Sequence, residues 1–426
     1  MSWRFIASRL NGNGTETFLD YNIPLSGAEI TRDLSGPGVI SGTITPEIAA
    51  MVGPDGEPLL QPWSTAIYAE EDGVIRDGAI LEALTEEGPD LILDAVGFTA
   101  YAKDTPYTST YSVHTRDPLQ IVRDIWNHIE GHKGGNLGVS VSLATSPIRL
   151  GTPEDPRLTA AKNAERDAQK EYDERKAVYE DAKRAYDKDK TDAKKKARDD
   201  AKKALDAAKK VLDKAKDTRS KFKDGEAKHY TLNWWETFDL GGEIDDLAAN
   251  TPFDYVMDHA WRPDGTVSHF LRLGYPTLGR RRHDLRFMVG ENVYTLPSVE
   301  RDGDEYADTV VVLGAGEGRK MVRATASKAA GRLRRVKVHE DKSVKTTAKA
   351  ERLAASLLRL YGGEETITTV EVLDHPNAAI GTYDVGDEIL VQHPTGWTDD
   401  LAVWSRILSI RFSPETGLST LELARA

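Results

Sequence analysis

One stretch of the sequence constrains the fold more than any other. Between residues 157 and 224 there is neither Gly nor Pro, and nearly every residue is Ala, Lys, Asp, Glu, Arg or Tyr. Most of these residues are strong helix formers. Residues 152–155 offer a capping hydroxyl, a proline and two acids, which suit a helix N-terminus, and Gly225 suits a helix end. The stretch is therefore predicted to be helical throughout.

The flanks of this stretch predict that the chain reverses within it. A single helix of this length would be about 100 Å long, yet residues 139–143 and 230–234 both have the pattern of strands in one compact body. The apolar pattern lapses at residues 187–192, where Thr191 can cap a second helix. We predict an antiparallel coiled-coil hairpin at 152–225, with two arms of about 45 Å each. A single rod stays open as the alternative, because no Gly marks the tip.

The apolar side of the predicted hairpin is a thin heptad seam, narrower than the face of a core helix. Its predicted members are Leu158, Ala168, Tyr172, Tyr179, Ala182, Tyr186, Ala197, Ala201, Ala204, Ala208, Val211, Ala215 and Phe222.

Charge separates the helical stretch from the rest of the chain. Residues 157–224 contain 23 Lys and Arg against 16 Asp and Glu, whereas the whole chain has a formal net charge of −13. Cations interleaved with acids are typical of a solvated coiled-coil surface, although a basic hairpin could also contact nucleic acid. The acidic remainder argues against tight general binding to DNA.

Composition excludes several other classes of protein. The chain has no Cys, so disulfides and thiolate metal sites are excluded. Its first residues lack a signal-peptide pattern, and no apolar run approaches 18 residues. We therefore expect a protein without a membrane segment that is not exported by a signal peptide.

Outside the helical stretch the sequence is mostly β. Short apolar runs between Asn-Gly and Asp-Gly turns predict a small sandwich or barrel over residues 1–105. Residues 106–151 and 226–300 contain strands and two helices, one of them from Asp117 to Gly131, and read as an α/β part. Residues 301–426 are again β, with one helix at 347–361. The predicted fold class is thus α+β, mostly β, with an inserted hairpin.

Two clusters of cationic side chains are candidate sites. His128 and His132 have the helical spacing of a metal pair, but Gly131 lies between them and no third ligand is near, so a surface pair is favoured. Arg280, Arg281 and Arg282 could hold a phosphate or pair with acids of a neighbouring subunit.

A glycine run at residues 314–318 imitates a nucleotide-binding motif. It follows a strand, and Glu340 lies at a suitable distance along the chain for a ribose hydroxyl. However, the third Gly comes one residue early, and residues 321–326 alternate like a strand instead of opening a helix. We predict that Gly314, Gly316 and Gly318 form a turn between antiparallel strands, and we assign no cofactor.

Several short motifs resemble minor tail proteins of long-tailed actinobacterial phages, in the tail-hub group. They are Tyr230-Thr-Leu-Asn-Trp-Trp235, Gly242-Glu-Ile-Asp-Asp246, Thr251-Pro-Phe-Asp-Tyr255, Leu273-Gly-Tyr-Pro276, Arg282-His-Asp-Leu-Arg286, Leu313-Gly-Ala-Gly-Glu-Gly318 and Val385-Gly-Asp-Glu-Ile389. The resemblance covers nearly the whole chain apart from the helical insert. These motifs are turns and strands, so they point to a family more than to a mechanism.

The resemblance implies two β-barrel-like domains, at 1–105 and 301–426, in a homotrimeric hub at the distal end of a phage tail. It implies a virion protein assembled in the host cytoplasm, with tail-tube, distal tail, and tip or fibre proteins as partners. DNA would pass through the ring without specific binding, Arg280, Arg281 and Arg282 would lie at subunit contacts, and there would be no catalytic, cofactor or metal site. The alternatives are an enzyme acting on cell-wall carbohydrate, which needs paired carboxylates in a cleft, and a nucleotide-binding enzyme.

Overall fold

The computed structural model describes residues 2–54, 56–151, 156–221, 229–301, 306–329, 331, 333–342, 344–362, 365–393 and 401–426. These residues form two compact units. One consists of Met1–Tyr107, Leu119–Ser146 and Thr237–Ala426, and the other of Thr108–Pro118 and Pro147–Glu236. The helix start predicted at 152–155, together with Phe222 and Gly225, lies outside the described residues.

The elements follow one another along the chain as follows. The first part contains β1 (Trp3–Leu10), β2 (Glu16–Ile23), β3 (Ser26–Asp33), β4 (Val39–Ile44), α1 (Pro46–Ala49), β5 (Thr65–Glu71), β6 (Val74–Glu87), β7 (Asp90–Gly97) and a 3-10 helix (Phe98–Ala102). The middle contains β8 (Thr110–Val113), α2 (Pro118–Glu130), β9 (Val139–Val141), α3 (Pro156–Lys188), α4 (Asp192–Ser220), β10 (Tyr230–Asn233), α5 (Leu240–Asn250), β11 (Asp254–Trp261) and β12 (Val267–Gly274). The last part contains β13 (Phe287–Met288), β14 (Val299–Arg301), β15 (Thr309–Leu313), a 3-10 helix (Gly318–Lys320), β16 (Arg323–Ser327), β17 (Val336–Glu340), α6 (Thr347–Tyr361), β18 (Glu365–Ile367), β19 (Thr369–Leu373), β20 (Glu388–His393), β21 (Leu401–Ser413) and β22 (Leu418–Arg425).

One large sheet dominates the first unit. Within the described residues it has twelve strands, in the order β13-β20-β21-β3-β4-β7-β6-β5-β1-β2, and β22 pairs with both β21 and β19. The strand order begins at β13 and ends at β2, and these two strands do not pair in the described residues, so the sheet is open. None of the sheets in the described residues closes into the barrels that the resemblance implies. The expectation of a mostly β protein with separate helices is confirmed.

The beginning and the end of the chain share this sheet. Strand β3 pairs antiparallel with β21, with Ile30 opposite Phe412 and Arg32 opposite Ile410. Their apolar side chains belong to one buried cluster. Strands from 1–105 and 301–426, which the sequence places in two β regions, therefore lie in one sheet over one core.

A smaller α/β subdomain lies between β14 and β18 in the chain. Strand β15 pairs antiparallel with β16 and parallel with β17. Its inward residues Val310 and Val312 are fully buried and cluster with Ala350 and Ala354 of α6. Helix α6 begins after the cap Thr346, whose side chain accepts from the Lys349 amide, and ends at Tyr361, as predicted.

The helical stretch is a hairpin of two antiparallel helices, α3 and α4. Thr191 caps α4 and accepts from the Lys194 amide. Arg219 Nη1, near the end of α4, lies 3.1 Å from Glu165 Oε2 near the start of α3. The chain therefore reverses where the heptad pattern lapses, and the single-rod alternative is wrong.

The predicted seam positions differ in burial along the two helices. Leu158 and Ala168 are buried, as is Ala208 on α4. The remaining seam positions Tyr172, Tyr179, Ala182, Tyr186, Ala201, Ala204 and Ala215 are partly buried.

Two predicted seam residues point elsewhere. Val211 is 55% exposed and Ala197 is exposed, whereas Leu212 is 4% exposed. From Ala208 a heptad allows a step of three or of four residues, and the structure takes the step of four, because it buries the larger Leu side chain.

Truncation of the seam residue and of its exposed neighbour tests this register. Leu212→Ala should destabilise the hairpin by roughly 2–3 kcal/mol, because it removes buried methyl groups and leaves a cavity. Val211→Ala should change stability by less than about 0.5 kcal/mol. Thermal unfolding of the full chain, followed by circular dichroism at 222 nm, measures both. Equal losses from the two variants would place the seam elsewhere.

Candidate functional site: a buried ionic cluster

A cluster of charged side chains in the interior centres on Arg32 of β3. Its guanidinium donates to Asp384 Oδ1 at 2.8 Å, to the Met257 carbonyl at 2.8 Å and to the Asp258 carboxylate. Asp77 Oδ1 on β6 lies 3.9 Å from Arg32 Nη1. Both Arg32 and Asp77 are less than a tenth exposed. One arginine thus joins groups that are far apart in the sequence.

A second arginine completes this ionic cluster. Arg272 of β12 lies 2.9 Å from Asp258 Oδ2 and 2.5 Å from Asp384 Oδ2. The cluster then holds two guanidinium groups against three carboxylates, so one proton would make it neutral. Burial raises the pKa of Asp77 to about 7, despite the attraction of Arg32. Burial opposes ionisation of Asp384 as well, but Arg32 and Arg272 outweigh it and hold its pKa at about 2.

The turn that carries Asp384 is fixed by a second set of contacts. Arg282 Nη1 donates to Asp387 Oδ2 at 3.1 Å, and its Nε and Nη2 donate to Asp284 at 2.9 and 2.7 Å. Gly386 has φ +91°, and a Cβ at Gly279 would lie 2.2 Å from the Gly386 carbonyl carbon. The two loops therefore approach at backbone distance, and this approach requires glycine.

The three predicted contact arginines occupy different environments. Arg282 is 8% exposed and makes its ion pairs inside the chain, where a neighbouring subunit would have to displace them. Arg281 Nε lies 2.6 Å from Glu388 Oε2, and its guanidinium lies 4.6 Å above the Trp404 ring. The Arg280 side chain is 72% exposed and 3.8 Å from Asp284. The structure thus gives Arg282 an internal role, and the contact role remains a prediction for Arg280 and Arg281.

A buried chain of hydrogen bonds contains residue types that hydrolases use. Glu16 Oε1 lies 2.5 Å from His269 Nε2 and accepts from Tyr68 Oη at 2.7 Å, while His269 Nδ1 lies 2.8 Å from His259 Nδ1. Ser8 Oγ donates to Glu16 at 2.7 Å, so a carboxylate and not an imidazole is its partner. Burial, His269 and then Arg32 hold the pKa of His259 well below its ordinary value. The serine therefore does not form the Ser–His pair of a catalytic triad. The network pairs most of its buried polar atoms, but His259 Nε2 has no hydrogen-bond partner.

The glycine run forms the predicted turn. Strands β15 and β16 are antiparallel on either side of it. Gly316 has φ +108°, and a Cβ there would lie 2.7 Å from the Lys320 carbonyl oxygen; a Cβ at Gly314 would lie 2.3 Å from the Val344 carbonyl oxygen. These glycines allow close backbone approach, and the element that follows Gly318 is a single 3-10 turn instead of the long helix of a dinucleotide fold.

The histidine pair has the geometry expected of a local contact. Helix α2 ends at Glu130, before His132. His132 Nδ1 lies 2.7 Å from the His128 carbonyl oxygen, and the His128 ring stacks on Tyr107 at 3.9 Å. In the described part of the chain, no group of three or more His, Asp or Glu side chains is placed to hold a metal ion.

A cavity of about 180 Å³ lies beside the start of α5. Its lining includes Trp126, Lys103 and two acids. Asp239 already accepts from the Gly242 amide at 2.9 Å, and Asp245 accepts from the Tyr255 hydroxyl. Since the acids are engaged with their neighbours, the cavity indicates no particular ligand.

Sequence reasoning missed the ionic cluster, although a signal for it exists. In β3, Arg32 follows Ala28 and Ile30 at alternate positions, and both of these are buried. In β6, Asp77 lies between Ile75 and Ala79 in the same way. A charged residue at an inward position of an alternating strand predicts a buried ion pair.

Comparisons with known proteins find similarity at the level of the fold. No protein-family model matches the sequence, and no curated protein matches it significantly. The structure is similar to the 43 kDa tail protein of prophage MuSo2 from Shewanella oneidensis, with a TM-score of 0.52 and 10% identity over 99% of this chain and 98% of that one. It also matches a tail protein from Neisseria meningitidis MC58 (TM-score 0.48, 12% identity, 100% and 97% covered). A third match is the E. coli c3393 protein, a component of the type VI secretion system (0.41, 8%, 95% and 74%). The MuSo2 match shows a shared fold.

Among the described residues, none of the helices combines the length and the hydropathy needed to span a bilayer.

Asp77→Asn tests whether Asp77 carries a proton in the folded protein. The folded-state pKa of about 7 lies above the ordinary value of 3.8, so the folded protein holds this proton between about pH 4 and 7 while the unfolded chain releases it. The contribution of Asp77 to stability is thus present below about pH 4 and is lost as the pH rises to 7. Because Asn imitates the protonated acid, the stability of the variant relative to the parent should increase by roughly 1–3 kcal/mol from pH 4 to pH 8.

Urea unfolding across this pH range measures the difference. The exposed carboxylate Asp206 of α4 provides the control, since Asp206→Asn should show no such trend. If the free energy of unfolding of Asp77→Asn differed from that of the parent by the same amount at every pH, protonation of Asp77 in the folded protein would be contradicted.

Proposed function

We propose that this protein is a structural component of a phage tail, a trimeric hub at the distal end that joins the tail tube to tip or fibre proteins. The observation that carries the proposal is the fold likeness to the MuSo2 tail protein, which extends over almost the full length of both chains. The sequence motifs that resemble tail-hub proteins support the same assignment. The protein would then be part of the virion and would be assembled in the host cytoplasm.

The internal construction suits a structural role. Arg32 and Arg272 tie strands of the large sheet to β11, β12 and the turn before β20. Separating Arg32 from its partners is costly, because the buried guanidinium would be left without a counter-ion. Such a cluster favours one fixed arrangement of the chain. A ring that transmits force along the tail would require such a fixed arrangement.

The net charge suits a passage for DNA. The chain has a formal net charge of −13. Carboxylates around the lumen of a ring would repel DNA phosphates and would let the genome slide without adhering. Arg280 and Arg281 would then belong outside the lumen, at contacts with acidic groups.

The purified protein should form a trimer in solution. Its mass by light scattering should be about three times the 47.0 kDa of one chain. Three copies would match a three-fold tip to a six-fold tube through a closed cyclic ring. A mass that stays at one chain, or that corresponds to six chains, at micromolar concentration would contradict the trimer.

The helical hairpin is proposed to bind an adjacent tail or fibre protein. Helices α3 and α4 pair with each other along the hairpin, so a short Gly/Ser linker in place of residues 152–225 should leave the β structure intact. We expect an unchanged β signal in circular dichroism and an unchanged mass per assembly, together with loss of the neighbouring protein from tails built with the shortened chain. An insoluble product would show that the hairpin is needed for the core.

A further inference from the structure

The small sheet of β9, β11 and β12 contacts β6 of the large sheet without joining it. Within the described residues, none of its three strands pairs with a strand of the large sheet. Arg32 holds the middle of β11 through the Met257 carbonyl. Beyond this point lies the hairpin end, residues 259–269, where Trp261 Nε1 donates to Glu70 Oε2 at 2.8 Å. Side-chain contacts therefore attach the hairpin end to the large sheet.

Two buried histidines lie at the base of the hairpin end. His259 of β11 and His269 of β12 are directly opposite each other, and they are 7% and 3% exposed. Each ring centroid lies 4.7 Å from the ring centroid of Phe98. A Cβ at Gly78 of β6 would lie 3.1 Å from His259 Cδ2. Both rings are thus enclosed between the hairpin and its neighbours.

The hydrogen bonds of this pair fix the tautomer of each neutral ring. His269 Nε2 donates to the Glu16 carboxylate, because an ionised carboxylate can only accept. His269 Nδ1 is then an acceptor, so His259 Nδ1, 2.8 Å away, carries a hydrogen and donates to it. His259 Nε2 is left as an acceptor, and among the described residues it has no hydrogen-bond partner.

The surroundings of His259 oppose a positive charge on its ring. Burial, then His269 of β12 and Arg32 of β3, lower the pKa of His259 well below 6.5. A proton on Nε2 would also create a buried N–H that lacks an acceptor in the described part of the chain. The carboxylate of this network, Glu16 of β2, contacts His269, and Tyr68 of β5 donates to the same carboxylate. Neither of them contacts His259 Nε2.

We propose that the hairpin end is an acid-sensitive element, in which uptake of a proton by His259 is coupled to local opening of residues 259–269. In the closed state His259 stays neutral, whereas in the open state it binds a proton as an ordinary imidazole does. The contribution of the closed His259 to stability is therefore fully present above about pH 6.5 and is lost as the pH falls. The inference does not depend on the proposed hub.

The nearby carboxyl group of Asp77 has the opposite effect. It lies on β6 beside Arg32, and it also takes up a proton as the pH falls through about 7. The folded protein holds that proton more tightly than the unfolded chain does, so acid strengthens the folded state through Asp77. Opening of the hairpin end in acid therefore cannot come from Asp77.

Hydrogen–deuterium exchange of the full chain measures the opening. Protection factors of the amides of residues 260–268, corrected for intrinsic exchange, are compared at about pH 7.5 and about pH 5.5. The opening constant should rise about tenfold over this range, because the open state gains nearly one proton at an ordinary histidine pKa of about 6.5. Strand β22 contains no histidine and is the reference, and its protection should change by less than about threefold.

A matched pair of variants tests the assignment to His259. His259→Asn removes the titrating ring and keeps a side-chain N–H that can donate to His269, so the opening constant should change by less than about twofold between the two pH values. His283→Asn removes an exposed histidine outside the hairpin and should keep the change of about tenfold. Constant protection in the parent, or a response to pH that survives in His259→Asn, overturns the proposal.

Nitrogen-15 NMR of the histidine side chains in the parent decides the matter if His259→Asn does not fold. We expect two neutral rings at about pH 7.5, with the hydrogen on Nδ1 of His259 and on Nε2 of His269. The His259 ring should become charged only together with the loss of protection at residues 260–268. A His259 ring that becomes charged near pH 6.5 while these amides keep their protection contradicts the coupling.

Discussion

The fold depends on one buried arginine that holds together parts of the chain hundreds of residues apart. Arg32 enters the sheet at β3 and makes contact with Asp77, Asp258 and Asp384. Removal of the cation would leave the buried Asp77 without its ion pair, and it would leave Asp258 and Asp384, each about a third exposed, with Arg272 alone. The pairing of β3 with β21 places Arg32 where this can happen, so sheet and cluster stabilise each other.

Local sequence patterns predicted the helices and turns, but they did not predict which strands pair with each other in the sheet. Helices α2 and α6, the hairpin turn at Thr191 and the glycine turn all follow from capping residues, periodicity and breakers within a few residues. The pairing of β3 with β21 connects residues that are far apart, and no local signal specifies which edge strand accepts which partner. The expectation of two β-barrel-like domains is not confirmed, because strands of both regions pair in one open sheet.

The same limit explains the outcomes at individual residues. Val211 and Leu212 both satisfy the heptad spacing, so tertiary burial decides between them. In the sequence, Arg282 belongs to a run of charged residues that is typical of a surface. In the structure, the close approach of Gly279 to Gly386 brings Asp387 within ion-pair distance of Arg282, which is buried.

The proposed tail-hub role is consistent with a sheet tied to its neighbours by an internal arginine and with a helical hairpin of two antiparallel helices. The most direct test is a cryo-electron microscopy reconstruction of the intact particle that carries this chain. The account predicts three copies around the tail axis at the distal end of the tube, with the genome path through their centre. Copies repeated along the tube, six copies at the end, or absence of the chain from the tail would contradict it.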